Sequence, residues 1–462
     1  MTTDDGQSFD YKAGWVIEPE LPPQSSAAKM PYEDFGTAPL NPRRYFDPAF
    51  ARLEEERLWP KVWTMAGFVS DIPAVGDYFK YDLGRESFIV VRTAPDAIKA
   101  YYNVCAHRGN ALIKTDFGNL TRFFCSFHGW QFDLDGNNIQ ITDREMFRPE
   151  TFQRGTHLTP VRCEIACGMV FIHMDPQAQP LAEFLGPLIP HLQAYRIEDM
   201  HVVADAETTW DGNWKTGLDA FNEAYHAYFV HPMARGSFDD YHTQIDTYPN
   251  GMNRRIGMIG APSPRHPQQG LNPDLQYLLT EVGLNPAEFD PSRGDVRKAI
   301  QQAKRKLAAQ KGLDWSGFTD GQLTDDWNYS IFPNTTLNIH VEGLLFQRFR
   351  PHPTDAEKFI YDNMVLVHPT DNAASIPAYM GVAPDTDVSG RTRPARRYVP
   401  PGEPGMGPVV DEDGKNMFFV QRGLRSRGFR GMLLGEPERC IRQFHAELDR
   451  YIYGANKPAD AV

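Results

Sequence analysis

Apolar residues recur along this chain in two rhythms, and the places where one gives way to the other divide it. Between Asp77 and about His173 hydrophobic and polar positions alternate in short runs: Tyr78–Leu83, Ser87–Arg92, Ile98–Asn103 and Met169–His173. Gly, Asp and Asn turns such as Asp135-Gly136 separate them. A period of two in short runs reads as strands, so this stretch is a small all-β module of roughly a hundred residues. Further strands are expected at His201–Thr209, Leu337–Phe349 and Asn363–His368. Elsewhere the period is helical. Asp47-Pro48 opens a helix through about Trp59, with Asp47 as N-cap and Pro48 in the first turn. Asn213–His231 is helical in character and stops at Pro232. Asp295–Lys311 places Val296, Ile300, Ala303 and Leu307 on one face, capped by Asp295 and ended by Gly312; its six Lys and Arg read as a solvated face. Ile441, Phe444, Leu448 and Ile452 mark a closing amphipathic helix.

The remaining text is connective. Residues 1–46 form an arm with Pro19, Pro22, Pro23, Pro31, Pro39 and Pro42 and no periodicity; a Pro-rich stretch follows at Pro187–Pro190; residues 265–330 look like an insertion; Ser389–Pro408 is a loop. Long blocks of strands and of helices predict an α+β chain rather than alternating βαβ units. A length of 462 residues suits two domains. With 41% hydrophobic and 23% charged residues, wholesale disorder is excluded. The net charge of −13 argues against a protein that holds phosphate backbones, so no nucleic-acid partner is expected. No run approaches the ~18 apolar residues of a membrane span. The start, Met1-Thr-Thr-Asp-Asp-Gly6, is polar and acidic without an apolar signal core, and a cytoplasmic location is expected.

The cysteines change the picture. Five of them cannot build a disulfide framework, but two belong to a pattern: Cys105-Ala-His107-Arg-Gly109 and Cys125-Ser-Phe-His128-Gly129-Trp130. Two Cys and two His suit either one tetrahedral zinc or a [2Fe–2S] cluster with Cys on one iron and His on the other. The order Cys, His, Cys, His, split between two loops, favours the cluster, and glycine after each half lets the backbone turn closely around it. The pair of loops resembles Rieske proteins. Those of respiratory chains carry an extra cysteine per loop, where Asn110 and Phe127 stand here. Cys163, Cys167 and Cys440 have no such partners and read as buried structural thiols.

A second constellation follows Asn213-Trp214-Lys215: Asp219, Glu223, Tyr225, His226 and His231 before Pro232. On one continuous helix Glu223 and His226 would share a face, while His231 lies one residue beyond the usual metal-binding spacing. A widened or unwound turn would return it to the same point. Two imidazoles and a carboxylate with open positions make the facial triad of non-haem Fe(II) oxygenases.

Taken together the two constellations resemble the α subunit of Rieske non-haem iron ring-hydroxylating oxygenases, from the helix at Asp47 to about Arg427. The resemblance implies a Rieske domain over 47–185 and a helix-grip catalytic domain with an antiparallel sheet over 186–462, with the arm packed on the latter. It implies one [2Fe–2S] cluster on Cys105, His107, Cys125 and His128, and one mononuclear Fe(II) on His226, His231 and an Asp from a late helix. Asp413 fits that Asp best by its spacing to Asn416-Met417 and Gln421, ahead of Asp411, which reads as a helix cap. It further implies that Glu223 stands where an Asp usually bridges to a neighbouring subunit's cluster histidine, and that Asp219 lies near the iron. O₂ would be activated to dihydroxylate, monooxygenate or demethylate a small apolar, aromatic or polycyclic substrate, with Phe221, Tyr225, Ala227, Phe418 and Phe419 as candidate pocket residues. Electrons would come from a separate NAD(P)H-dependent reductase, with or without a ferredoxin, and the assembly would be a trimer with or without β subunits. Two rival readings are a Rieske electron carrier and a zinc-stabilised binding module.

Overall fold

Two large, mainly antiparallel sheets carry the described residues, with a small third beside the first, and the alternating runs supply many of their strands. The computed structural model describes residues 10–17, 25, 28–311, 313–370, 373 and 376–454. The starting segment Met1–Gly6, Pro19, Pro22, Pro23 and the helix-ending Gly312 lie outside the described residues.

The first domain uses β1 (Thr64–Phe68), β2 (Asp77–Leu83), β3 (Glu86–Ala94), β4 (Ala97–Tyr102), β5 (Phe117–Asn119), β6 (Phe123–Phe124), β7 (Gln131–Phe132), β8 (Asn138–Gln140), β9 (Pro160–Ala166) and β10 (Met169–His173). Seven of them form one sheet in the order β1-β10-β9-β4-β3-β2-β5, and β6-β7-β8 form a small second one. A local core of Trp130, Phe132, Ile141 and Leu158 fills the space beneath the small sheet and buries Cys105 and Cys125 with it. Cys440 is buried as expected, whereas Cys163 and Cys167 are only half-buried.

The second domain is an eight-stranded sheet of β11 (His201–Trp210), β12 (Phe238–Thr247), β13 (Asn253–Ile259), β14 (Asp326–Ile331), β15 (Thr335–Ile339), β16 (Gly343–Pro351), β17 (Phe359–Val367) and β18 (Arg397–Tyr398). Its order is β12-β13-β14-β15-β16-β17-β11-β18, a meander that β11 closes by pairing with β17. The expected strand Leu337–Phe349 is in fact a hairpin: His340–Glu342 turns the chain, with His340 N–H donating to Gly343 O at 2.8 Å. The fold is α+β throughout.

Among the described residues ten α-helices complete it: α1 (Pro48–Arg57), α2 (Leu181–Leu185), α3 (Leu188–Gln193), α4 (Trp214–Phe221), α5 (Ala227–Val230), α6 (Pro273–Glu281), α7 (Val296–Lys311), α8 (Asp320–Thr324), α9 (Pro408–Leu424) and α10 (Arg439–Tyr453). Asp47 caps α1 by accepting the Ala49 N–H. The Pro-rich stretch supplies α3, with Pro187 preceding its first turn. On α10 the four periodic residues Ile441, Phe444, Leu448 and Ile452 are all buried. Phe444 packs its ring 5.6 Å from Phe332 and 5.7 Å from Trp214. The expected single helix over Asn213–His231 is broken: α4 ends at Phe221, residues 222–226 are non-helical, and α5 is one short turn. The insertion is α6, α7 and α8, spliced between the paired strands β13 and β14. Val296 and Ile300 of α7 pack on Leu275 and Leu279 of α6. Three of its basic residues are ion-paired rather than solvated, Arg297 to Asp325, Lys304 to Glu342 and Arg305 to Asp320. Among the described residues no helix is long and apolar enough to cross a membrane.

The arm lies along the second sheet, with Ile17 N–H on Gln244 Oε1 (3.0 Å) and Met30 N–H on Asp246 Oδ1 (2.6 Å). Buried charge joins the domains. Arg348 donates to the carbonyls of Met65 (3.1 Å) and Ala66 (2.7 Å) in β1, and its Nε bonds to Asp362 at 2.7 Å. Despite its burial, Asp362 is held far below the usual carboxylate range by Arg348, Arg350 and Arg396.

A second buried pair fixes α1 to α4: Lys215 Nζ stands 2.6 Å from Glu54 Oε1, both side chains almost fully buried, and Trp214 Nε1 donates to Glu54 Oε2 at 3.3 Å. Burial pushes Glu54 up and Lys215 down, each against the partner's attraction, so desolvation weighs heavily here. Removing one partner leaves an uncompensated buried ion, at a cost of about 3–5 kcal/mol, while replacing both is often neutral. Glu54→Gln should therefore lower the urea midpoint of the second domain by an amount worth about 3 kcal/mol, and Glu54→Gln with Lys215→Met should recover most of it. Equal stability of the single variant and the wild type would contradict this account of the contact.

Candidate active site

At the tip of the first domain two loops of one design face each other. In each, the cysteine N–H donates to a carbonyl further along (Cys105 to Asn110 and Cys125 to Trp130, both 2.9 Å), and the glycine N–H donates back to the cysteine carbonyl (Gly109 at 3.0 Å, Gly129 at 2.9 Å). Gly109 and Gly129 have φ of 77° and 73°, a conformation in which a side chain is strained. The N–H groups of His107 and Arg108 are aimed at Cys105 Sγ, and those of Phe127 and His128 at Cys125 Sγ. Burial pushes the Cys105 thiol up to about 11. At Cys125 burial acts the same way, but the N–H donors and the Cys105 thiol outweigh it and hold this group below its ordinary value. Such N–H groups stabilise anionic sulfur.

The histidines complete the tip. The His107 ring lies flat on Trp130, with centroids 4.8 Å apart at 6°, and stands 4.6 Å from the His128 ring. Its Nδ1 is buried with no partner among the described residues, a nitrogen left free for a ligand bond. Among the described residues only one group of three donors, located elsewhere, lies within 4.8 Å of one another. The two thiols interact with each other and the two imidazoles adjoin each other, the pairing needed for Cys on one iron and His on the other. The donor set fits a [2Fe–2S] cluster.

That group of three is His226, His231 and Asp413. Its geometry follows from the helix break. Because α4 stops at Phe221 and the chain restarts at Ala227, His226 stands just before α5 and His231 just after it. Their Nε2 atoms come within 3.2 Å, and Asp413 Oδ1, from α9, lies 3.5 Å and 3.4 Å from them. Adjacent ligands at about 2.1 Å on an octahedron stand about 3 Å apart, so one face of such a site is nearly formed. Each outer ring nitrogen meets a carboxylate: His226 Nδ1 lies 2.5 Å from Glu223 Oε1, and His231 Nδ1 lies 2.9 Å from Glu412 Oε2. A carboxylate there fixes the tautomer that presents a lone pair at Nε2. Glu412 is absent from the sequence reading, and its place beside Asp413 was the only available signal.

Asp413 is buried, and that burial, reinforced by Glu223 and Glu412 against His226, pushes it up to about 7. Three acids and two imidazoles this close want a cation among them, so the donor set fits a divalent metal. Glu223 is 9% exposed, and both of its oxygens already bond to His226, Oε1 to the ring and Oε2 to the backbone N–H (3.1 Å). Asp411 lies in the first turn of α9, where its carboxylate accepts the N–H groups of Gly405 (2.8 Å) and Met406 (2.9 Å) and so holds the preceding loop rather than capping the helix. Asp219 hydrogen-bonds to Tyr45 Oη (2.5 Å), not to the triad. Arg44 donates to His445 Nδ1 (2.9 Å), which leaves His445 Nε2 to donate to Tyr45 Oη (2.7 Å) and Tyr45 to donate to Asp219. Neither Tyr45 nor His445 carries a sequence motif.

The triad opens on a cavity of about 930 Å³. Phe221 and Ala227 line it as the sequence suggests, but Tyr225, Phe418 and Phe419 do not; they lie on the outer surface, 49%, 50% and 66% exposed. The insertion forms the far wall through Leu278, Glu281, Ile300, Lys304 and Leu307. The sheet side is polar, with Arg255, Asp326, Asn328, Asn338 and Gln347 on four neighbouring strands. That is more polarity than an apolar arene needs.

The comparisons with known proteins agree with this layout. Residues 197–454 match the family model described as the ring hydroxylating alpha subunit (catalytic domain), and residues 62–150 match the Rieske [2Fe-2S] domain. The glycine betaine monooxygenase oxygenase subunit of Chromohalobacter salexigens is 31% identical over 198 residues, 43% of this chain and 44% of that one, so the match spans under half of that relative. The 2-aminobenzenesulfonate 2,3-dioxygenase subunit alpha of an Alcaligenes species is 28% identical over 300 residues, 59% of this chain and 74% of that one. A solved quaternary ammonium Rieske monooxygenase shares the fold, with a TM-score of 0.65 at 20% identity over 93% of this chain and 98% of that one.

The twin loops generate a prediction. A Cβ at Gly129 would meet Thr142 Oγ1 at 2.9 Å, whereas nothing lies within 4 Å of one at Gly109. Both substitutions carry the left-handed cost of about 1–2 kcal/mol. Gly129→Ala should therefore retain clearly less acid-labile sulfide and visible absorbance per chain than Gly109→Ala. Wild-type loading in Gly129→Ala would contradict the tight-loop account.

Proposed function

Because the chain belongs to the family of ring-hydroxylating alpha subunits, we propose that it works as the terminal oxygenase component of a Rieske oxygenase system. The observation that carries this reading is the coexistence, on one chain, of the twin-loop tip and a separate two-His, one-carboxylate group with edges of 3.2–3.5 Å that opens on a large cavity. A Rieske electron carrier would account for the first domain only and leave that triad and cavity without a task.

In this reading Cys105, His107, Cys125 and His128 hold a [2Fe–2S] cluster, and His226, His231 and Asp413 hold the mononuclear iron. The cluster would supply electrons singly, and the mononuclear iron would activate O₂ against the substrate. The chain's own residues do the rest. Glu223 and Glu412 orient the two imidazoles, Asp413 supplies the anionic ligand, and the cavity walls exclude bulk water. The cavity suits an organic substrate larger than one ring and bearing a polar group. Electrons come from a separate NAD(P)H-dependent reductase, directly or through a ferredoxin.

The assembly we favour is a trimeric ring. Two apolar patches lie exposed on different parts of the chain: Phe124, Phe127 and Met146 near the tip, and Tyr225, Phe229, Phe418 and Phe419 outside the triad. Distinct patches that meet between copies make a head-to-tail contact, which gives a closed ring when the rotation between copies is a whole fraction of a turn, a third for a trimer. Glu223 would form the bridge there: each of its oxygens keeps a second lone pair, which could accept the outer N–H of a neighbouring chain's His107 or His128.

Asp413→Ala should lose the mononuclear iron and turnover while keeping the cluster spectrum, and Asp411→Ala should keep both irons and only loosen the loop at Gly405. The opposite pattern would show that the wrong carboxylate was chosen. Glu223→Gln keeps the shape of the side chain, but its amide N–H₂ cannot accept from a histidine. Both metal contents should survive, while single-turnover oxidation of the reduced cluster slows by at least about tenfold, the lower end for losses around a metal site. An unchanged rate would remove Glu223 from the electron path.

A further inference from the structure

The polar side of the cavity carries hydrogen-bonding groups that nothing in the chain meets. Arg255, on β13, lines the cavity and is buried. It is held at one corner only: Nη2 donates to Asp326 Oδ2 at 3.0 Å, while Nε and Nη1 have no partner among the described residues. Asp326 is not free to take more, because its Oδ1 accepts Asn338 Nδ2 at 2.7 Å. Directly across from Arg255 in the β13–β14 register stands Asn328, buried, also lining the cavity, with its Oδ1 likewise unpartnered. Buried polar groups are rarely left unmet, and two neighbours left so on the wall of one cavity point to a ligand that meets them. Arg255 and Asn328 line the same cavity as His226, His231 and Asp413.

We propose that Arg255 is the specificity-determining residue for an anionic group, a carboxylate or sulfonate, on the substrate. With Nη2 anchored on Asp326, the guanidinium keeps Nε and Nη1 for an oxyanion entering the cavity. Asn328 then accepts a hydroxyl or amino hydrogen beside that anion. The apolar wall at Phe221, Ala224 and Leu345 takes the hydrocarbon portion of the same molecule. This inference rests on the oxygenase reading, and it departs from the expectation of a wholly apolar substrate.

The test uses the holoprotein and matched probes, naphthalene-2-carboxylate and naphthalene-2-sulfonate against naphthalene-2-carboxamide, with binding measured by titration calorimetry. The wild type should bind at least one anion about tenfold or more tightly than the amide, the size of a charge-assisted contact. Arg255→Gln should bring that ratio to near one, and Arg255→Lys should keep part of it, with cluster spectrum and iron content unchanged. If Arg255→Gln fails to fold because it strands Asp326, Arg255→Gln with Asp326→Asn removes both charges and should show the same flat ratio. Equal binding of anions and amide by the wild type, no binding of any probe, or a preference that survives both variants would overturn the proposal. Oxygen uptake with reductase and NADH is recorded in parallel. Discrimination without oxygen uptake would leave the anion site standing and count against the oxygenase reading alone.

Discussion

The second domain depends on a helix that stops early. Had Asn213–His231 run on as one α-helix, His226 and His231 would point about 140° apart around the axis and could not share a ligand. Instead α4 ends at Phe221, the chain leaves helical geometry for residues 222–226, and α5 restarts for a single turn before Pro232. That break places the two Nε2 atoms 3.2 Å apart and lets Glu223 reach both the ring and the backbone N–H of His226. Asp413 can then meet them from α9, whose opening loop Asp411 secures. The surroundings serve to hold the break in place. Asn213 caps α4, Lys215 is anchored by Glu54 from α1, and Asp219 is tied through Tyr45 to His445 on α10.

Much of this was legible in the residues, and unevenly so. The Rieske tip is local: each pair of donors lies within a few residues of a glycine, so spacing alone carries it. Asp47, Asp295 and the α10 face were equally readable because caps and periodicity act over one or two turns. The helix break was not readable, since nothing in Asn222-Glu223-Ala224-Tyr225 forbids helix; tertiary ties impose it. The spacing of His231 carried a hint, one residue too many for a regular pair. Glu412, Tyr45 and His445 were invisible because their partners lie 181, 174 and 400 residues away, and Arg255 because strand register decides which side chains face the cavity. Tyr225, Phe418 and Phe419 misled for the converse reason: aromatic character does not say which side of an element it faces.

The insertion gains a meaning from its place between β13 and β14. Those strands pair with each other, so the sheet does not need α6–α8 to form. What the three helices add is a wall for the cavity, fastened by Arg297 to Asp325 and by Lys304 to Glu342. The chain thus divides its labour: the broken helix and α9 bring His226, His231 and Asp413 together, while the insertion and the sheet's polar face shape the cavity beside them.

The tip loops and the triad together imply two different iron sites on one chain. Counting iron and acid-labile sulfide on the purified protein, by elemental analysis with reduced-state EPR, tests this most directly because it needs no substrate. About three irons and about two sulfides per chain are expected, with a Rieske signal, two of the irons tied to the cluster and the third removable by a mild chelator. Two irons with nothing further removable, or zinc with no sulfide, would contradict the pair of sites.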